Sequence, residues 1–514
     1  MLALALAVLC VHLVIAIKHG GPVAVPDIPS YLHHARSFTG LGEDLNTQFH
    51  PGLGLLLTPV VLMGVDGGGL HTAALLLNGL VAAAAIPLTH RLATSLGASS
   101  QISTIACVVC AVFPVFAAGS RTAWPEPLLA LAVLTVSVCL VAGTRRGLLT
   151  AGIVSALSVA VHPRAVVLCA VLLALLALRN YRRTTGPLLV GVTAGAVITT
   201  ASLVATSTWL WPRVSASLTT ATVDQRLYVA VGQLAAVVGV SCGFAWFAAA
   251  AAWRNRNNTT GASHAIIFNV FGVLAMAALG GWVLGGGDRP DLVMYSRYVS
   301  PFALPLTIIG MCCVAQHITR RVMWIAPLIA WVICTIGSGW LVEQSERTYR
   351  RIMTLSNGWA WTFGSGQART ALLLTVGLGA LSATLLMNYP RALFAVTTLL
   401  IGACSLTTVL NHQKLAEIGE ISQRQTQLHS VIPHTATCVS FDRDSTKGYL
   451  DGLYRLERPE LLFSTIDLRA GDRPCADLVV AGRMALMNCQ GAEIQVIDDE
   501  TDWALWAYPR QGCG

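Results

Sequence analysis

The stretch Ala24–His50, AVPDIPSYLHHARSFTGLGEDLNTQFH, gathers three carboxylates (Asp27, Glu43, Asp44) and three histidines (His33, His34, His50) in a mostly hydrocarbon chain. Acids are costly beside a bilayer, so a cluster of them there points to chemistry. A carboxylate can take the proton from an attacking hydroxyl, and the planar fork of a guanidinium matches the oxygens of a phosphate. Asp27 is the leading candidate for such a base. Arg297, in Met294-Tyr-Ser-Arg-Tyr-Val-Ser-Pro301, is the leading candidate for a phosphate ligand, with Arg164 and Arg289 as helpers. Each has a plainer alternative. Asp27 also reads as a solvated loop acid or as the cap of a helix starting near Pro29. Glu43 and Asp44 read either as surface acids or as a second acid contacting metal or acceptor. His33 and His34 fall on an amphipathic-looking helix, as solvated or interfacial residues. Arg297 also reads as a snorkelling arginine, and Arg164 and Glu126 as partners at span ends.

The elements that hold these residues follow from composition. Of 514 residues, 54% are hydrophobic and only 11% charged, and mean hydropathy is +0.65. Repeated apolar runs of about 20 residues can each cross about 30 Å of hydrocarbon. The expected fold is therefore a polytopic α-helical membrane protein. Spans are expected at Leu2–Ile17, Leu70–Pro87 and near 103–118, 124–143, 147–162, 164–180, 187–210, 228–252, 264–284, 299–315, 322–342, 369–387 and 391–410, about thirteen in all. The first is read as a retained helix, with a signal peptide as the alternative. Pro51–Met63 is too short to span and reads as re-entrant or interfacial.

The net charge of +8 divides into +13 over residues 1–410 and −5 over 411–514. Arginines flanking spans account for the excess, and nucleic-acid binding is not expected. With an inside N-terminus, the short inner loops hold eleven arginines (among them Arg145, Arg146, Arg254 and Arg256) and no acid. All ten acids before residue 410, from Asp27 and Glu126 to Asp288, Asp291, Glu343 and Glu346, then face outward. The run Glu343–Arg351, with Trp359 and Trp361 after it, reads as an interfacial amphipathic segment.

Residues 411–514 are expected to form a separate small α/β domain on the outer face, below a 1–410 membrane domain whose first outer loop is 18–50. Strands are expected at Cys438–Phe441, Leu478–Val480, Ile494–Ile497 and Trp503–Ala507, and a helix at Gly448–Glu457. Of 14 cysteines, ten sit in or beside apolar spans and four in this tail. Cys438, Cys475, Cys489 and Cys513 lack C-x-x-C spacing, which favours two disulfides over zinc in one of three connectivities.

Phosphate loops, dinucleotide fingerprints, H-E-x-x-H and a strand–turn–helix G-x-S-x-G are absent, so ATP, dinucleotide and zinc-protease chemistry have no support. No cofactor is expected, and no metal site is assigned, though a divalent ion is not excluded. An outward carboxylate with outward arginines suits glycosyl transfer from a lipid phosphate, where a hydroxyl loses its proton as a phosphate departs.

The order of features resembles the GT-C superfamily of integral-membrane glycosyltransferases, which use polyprenyl-phosphate sugars. Asp27-Ile-Pro-Ser-Tyr31 followed by Phe49-His-Pro-Gly-Leu-Gly-Leu-Leu56 is similar to the family's acidic first outer loop. Trp124-Pro-Glu-Pro127, Val161-His-Pro-Arg164 and Arg297-Tyr-Val-Ser-Pro301 resemble its later motifs. Many members carry paired acids in that loop, whereas Asp27 here is followed by Ile28. The resemblance implies Asp27 as catalytic base, Arg297, Arg164 and Arg289 at the donor phosphate, and Tyr31, His50, Glu126 and Tyr298 against substrate. It implies a polyprenyl-phosphate sugar donor carrying mannose or arabinofuranose, a glycan or glycolipid acceptor and surrounding membrane lipids. The arginine-rich inner loops, Gly/Ala-rich spans and absence of a eukaryotic retention signal suggest a bacterial plasma membrane, with the site on its outer face by the charge segregation above. The rival readings are a transporter or flippase of a lipid-linked sugar, which would favour mid-membrane charges and broken helices in matched halves, and a non-catalytic glycan-binding subunit.

Overall fold

The computed structural model describes residues 1–18, 27–41, 49–178, 182–205, 222–284, 294–316, 328–329, 331–333, 335–336, 358–364, 367–426, 428–442, 457–458, 461–498 and 502–509. In chain order the helices are α1 (Leu2–Lys18), α2 (Ile28–Ser37), α3 (Gly52–Leu62), α4 (Gly67–Ser95), α5 (Ser100–Ala111), α6 (Pro114–Ala118), α7 (Glu126–Ala142), α8 (Arg145–Val161), α9 (Val166–Leu178) and α10 (Arg182–Ala205). They continue with α11 (Val223–Val240), α12 (Phe244–Arg254), α13 (Gly261–Leu284), α14 (Ser300–Ala315), α15 (Gly358–Phe363), α16 (Ala368–Asn388), α17 (Leu393–Thr426) and α18 (Leu428–Val431).

Among the described residues six helices are long and apolar enough to cross a membrane, or seven if one bent pair counts as a span. Five shorter apolar helices, including α1, α3, α7 and α14, stand beside them. The chain is a polytopic membrane protein. Most of the expected span at 322–342 lies outside the described residues. The expected single span at 228–252 is instead two helices, α11 and α12, meeting at 108°. Cys242 (φ 44) and Gly243 (φ 78) make the corner with left-handed backbone, a conformation open to glycine and strained for cysteine.

At the centre lies α14, whose residues from Ser300 to Val314 are all buried. A helix apolar all round needs neighbours on every side, and α7, α12 and α13 supply them. Asn269 of α13 donates to Ser137 of α7 at 2.7 Å, a polar clasp inside the bundle. Two short elements fold back at one end. Helix α3 has 11 residues, about 16 Å, too short to cross. Helix α2 is wedged against it, with Ile28, Tyr31, Leu32 and Ala35 packed on Leu53, Leu57, Trp124 and Leu415. This corrects the expectation for His33 and His34. Both are buried, and His34 pairs with the Phe49 carbonyl at 2.8 Å, because α2 is enclosed by α3 and α17 and does not lie on water.

The last long helix also runs further than expected. Helix α17 runs unbroken through residue 411 to Thr426, and the strands of the small sheet follow it. That sheet holds β1 (Cys438–Asp442), β2 (Leu462–Ile466), β3 (Leu478–Gly482), β4 (Glu493–Asp498) and β5 (Trp503–Ala507) in the order β2-β1-β3-β5-β4. Strand β1 runs parallel to β2 and β3, and β5 antiparallel to β3 and β4. Strand β2 escaped the sequence reading, and the helix expected at Gly448–Glu457 lies almost wholly outside the described residues. A disulfide joins Cys438 to Cys475. Cys489 is disulfide-bonded as well, and Cys513 lies outside the described residues.

Candidate active site

Four segments far apart in sequence converge at one end of the bundle. Asp27 precedes α2, Glu126 opens α7, Arg164 follows the C-terminal end of α8, and Arg297 sits in the turn before α14. Arg297 is the hub. Its Nη1 donates to an Asp27 carboxylate oxygen at 3.0 Å and to the Tyr295 hydroxyl at 3.3 Å, while its Nε donates to Glu126 Oε1 at 2.9 Å. Arg164 Nη2 donates to the same Glu126 oxygen at 2.6 Å. Two carboxylates and two guanidiniums neutralise one another, which is what permits their burial.

Asp27 occupies the N-cap position of α2, yet its side chain makes no capping bond. The carboxylate turns to Arg297 instead and stays 23% exposed, whereas Glu126 is 1% exposed. One acid is accessible and the other is locked. That asymmetry separates a group able to meet an incoming hydroxyl from one that aligns two arginines.

Aromatic rings wall the cluster. The Arg297 guanidinium lies 4.3 Å from the centre of the Trp124 ring, and that of Arg164 lies 4.6 Å from the Tyr298 ring. Tyr295 and Tyr298 meet edge to face at 5.7 Å, and His162 meets Tyr298 at 6.3 Å. Such stacking fixes a guanidinium plane without consuming its donors. Several polar atoms are left over. Tyr31 Oη, Trp124 Nε1, Glu126 Oε2, and Arg164 Nε and Nη1 are buried with no hydrogen-bond partner among the described residues. Orphaned groups of this kind are expensive in an apolar interior, and five around one ion cluster suit a polar ligand. Burial, and after it the charges of Asp27 and Glu126, push the Tyr31 phenol well above its ordinary pKa, so it stays a donor.

His50 is placed differently. Its Nδ1 pairs with the Val159 carbonyl, tying the start of α3 to the end of α8, and it is fully buried. Burial, partly offset by the Val159 bond, lowers its pKa from 6.5 to about 4. The sign follows directly: the unfolded chain takes up a proton below pH 6.5 that the folded state refuses until about 4. Stability therefore falls as pH drops through that window, and His50→Gln is expected to flatten the fall. Thermal midpoints at pH 7.5, 6 and 5 read it, and parallel curves for the two proteins would refute the linkage.

Glu43, Asp44 and Arg289 lie outside the described residues. Among the described ones, no three His, Cys, Asp or Glu side chains converge as a metal site.

Asn78 is a residue the sequence reading missed. Its Nδ2, fully buried on α4, faces the carbonyls of Gly119, Thr122 and Trp124 at 3.4, 3.1 and 3.3 Å. It thereby pins the loop that delivers Trp124 and Glu126. A lone asparagine inside an apolar span was the available signal. Asn78→Leu strands these carbonyls and is expected to cost about 1–3 kcal/mol of stability. Thermal unfolding in detergent measures it; an unchanged midpoint would show that the loop stands without it.

No protein-family model and no curated protein matches the chain. Solved structures do. ArnT from Cupriavidus metallidurans in the apo state superposes with a TM-score of 0.56 at 12% identity, covering 98% of this chain and 97% of that one. The same protein bound to undecaprenyl phosphate gives 0.59 at 12% identity, with the same coverage. The chain shares the fold of these ArnT structures. The shared coverage takes in both the helical bundle and the small sheet domain. The four charged groups lie on segments that open or close helices at one end of the bundle.

Proposed function

We propose that the protein is a membrane glycosyltransferase that moves a monosaccharide from a polyprenyl-phosphate donor to a cell-envelope glycan, lipid or protein acceptor. The observation that carries the reading is the partly exposed Asp27 paired to the buried Arg297, with Arg164 beside it holding two unpaired donors. The undecaprenyl phosphate recorded for the ArnT structure supports a lipid phosphate as the donor's anchor.

The chemistry follows from charge. The resting cluster is neutral, so an arriving phosphate adds negative charge and competes with Asp27 for Arg297. Arg164 Nε and Nη1 and then Arg297 take the phosphate oxygens, and the Asp27 carboxylate is released toward the acceptor hydroxyl. As the acceptor oxygen attacks the anomeric carbon, its proton passes to Asp27 and the glycosyl–oxygen bond to phosphate breaks. The electron pair stays on the departing phosphate, against the two guanidiniums. A single displacement inverts the anomeric centre. Tyr31, Tyr298 and Trp124 border the sugar. We place the site and the small domain on the outer face of a bacterial plasma membrane, with mannose or arabinofuranose as the transferred sugar.

The test uses the full chain in liposomes with radiolabelled polyprenyl-phosphate mannose or arabinofuranose and a cell-envelope glycan extract. Transfer of label with stoichiometric release of polyprenyl phosphate supports the reading. Transbilayer movement of intact donor without release would replace it by a flippase.

A further inference from the structure

At the opposite end of α8 lies a cavity remote from the reaction proposed above. Helix α8 spans 17 residues, so its start is about 25 Å from the end that leads to Arg164. Helices α8 and α10 run parallel in close contact, Gly191 lying on the Leu149 carbonyl, Gly195 on Ile153 and Ala156, and Thr199 donating to the Ala156 carbonyl at 2.8 Å. Beyond this contact, toward their first turns, a groove of about 700 Å³ opens between them. Arg145 and Arg146 stand at its rim, while Leu149, Pro187 and Val190 line its apolar part. A side chain added at Gly186 would meet nothing within 4 Å, so the groove is open there.

We propose that this groove holds the headgroup of one anionic phospholipid. Three observations converge on that occupant. First, Arg145 and Arg146 are exposed and have no hydrogen-bond or ion-pair partner among the described residues. No acid sits in the first turn of α8 to balance them, although cations are unfavourable at that pole of a helix. Second, the preference of basic residues for one side of a membrane accounts for their sign, yet it does not call for a cavity beside them. Third, the wall continues along α10 through exposed Leu189, Val190, Val197 and Ile198, a lipid-facing strip on which acyl chains can lie. A ligand with a phosphodiester head and hydrocarbon tails meets both surfaces, as in basic pockets between membrane helices generally. A soluble phosphate would meet only the rim.

Native mass spectrometry of the full chain, taken from phosphatidylcholine nanodiscs containing phosphatidylglycerol, counts retained anionic lipid. Two variants probe the groove: Arg145→Gln/Arg146→Gln removes the charge, and Val190→Trp fills the space while keeping it. All three positions are exposed, so folding is expected to survive. Each variant should weaken phosphatidylglycerol retention by roughly tenfold, and Arg254→Gln/Arg256→Gln, elsewhere in the arginine-bearing loops, should leave it at the wild-type level. Wild-type retention in either groove variant overturns the proposal. So does an equal loss in the Arg254/Arg256 control, which would indicate general surface charge, or displacement by millimolar inorganic phosphate alone, which would indicate a soluble anion.

Discussion

Asp27→Asn is expected to lower sugar transfer by about 10²–10⁴-fold, the range for a lost general base, while binding of undecaprenyl phosphate persists. Asparagine keeps the shape of the side chain and removes both its basicity and its charge. Arg297 stays anchored, because Glu126 holds its Nε and Nη2 independently of Asp27. Asparagine leaves the buried cluster with one positive charge in excess, a cost moderated because the Asp27 position is partly exposed. Single-turnover kinetics at saturating donor isolate the chemical step from binding. Unchanged turnover would remove Asp27 from the base role, and lost lipid binding would recast it as a ligand to the donor.

Replacing Glu126 is expected to damage the protein more broadly. Glu126→Leu leaves Arg164 without its ion partner and Arg297 with Asp27 alone, inside a site where both arginines are almost fully buried. Breaking a buried ion cluster this way costs about 3–5 kcal/mol. Thermal unfolding in detergent should show a large loss, with transfer abolished. The diagnostic comparison is a cycle: Glu126→Gln and Arg164→Gln each destabilise, and the double variant should recover part of the loss because neither charge is then stranded. A double variant as unstable as the sum of the singles would show that the pair is not coupled.

Much of this arrangement could be read from the residues. Apolar runs gave a membrane bundle, and the separation of acids from loop arginines grouped Asp27, Glu126 and Arg297 at one end. The structure brings those three together with Arg164. Other features carried little sequence signal. The corner at Cys242–Gly243 interrupts an unbroken apolar run without a proline, so length and hydropathy alone gave one span. Helix α17 passes from apolar into polar sequence without a breaker, and Leu415 and Ile418 keep its helical pattern while packing in one cluster with Tyr31, so composition alone did not show how far the helix runs. Burial of His33 and His34 depends on α3 and α17 folding over α2, a tertiary fact with no local signature. Strand β2, whose burial does not follow a clean alternation, is legible only once its parallel pairing with β1 is known.

The most direct test of the central claim is a cryo-electron microscopy structure of the full chain with undecaprenyl phosphate. The account predicts the phosphate within hydrogen-bonding distance of Arg164 and Arg297, the Asp27–Arg297 pair loosened, and the Asp27 carboxylate facing open space beside the phosphate. A lipid phosphate seated elsewhere, with the Asp27–Arg297–Glu126–Arg164 cluster closed as it stands here, would contradict it.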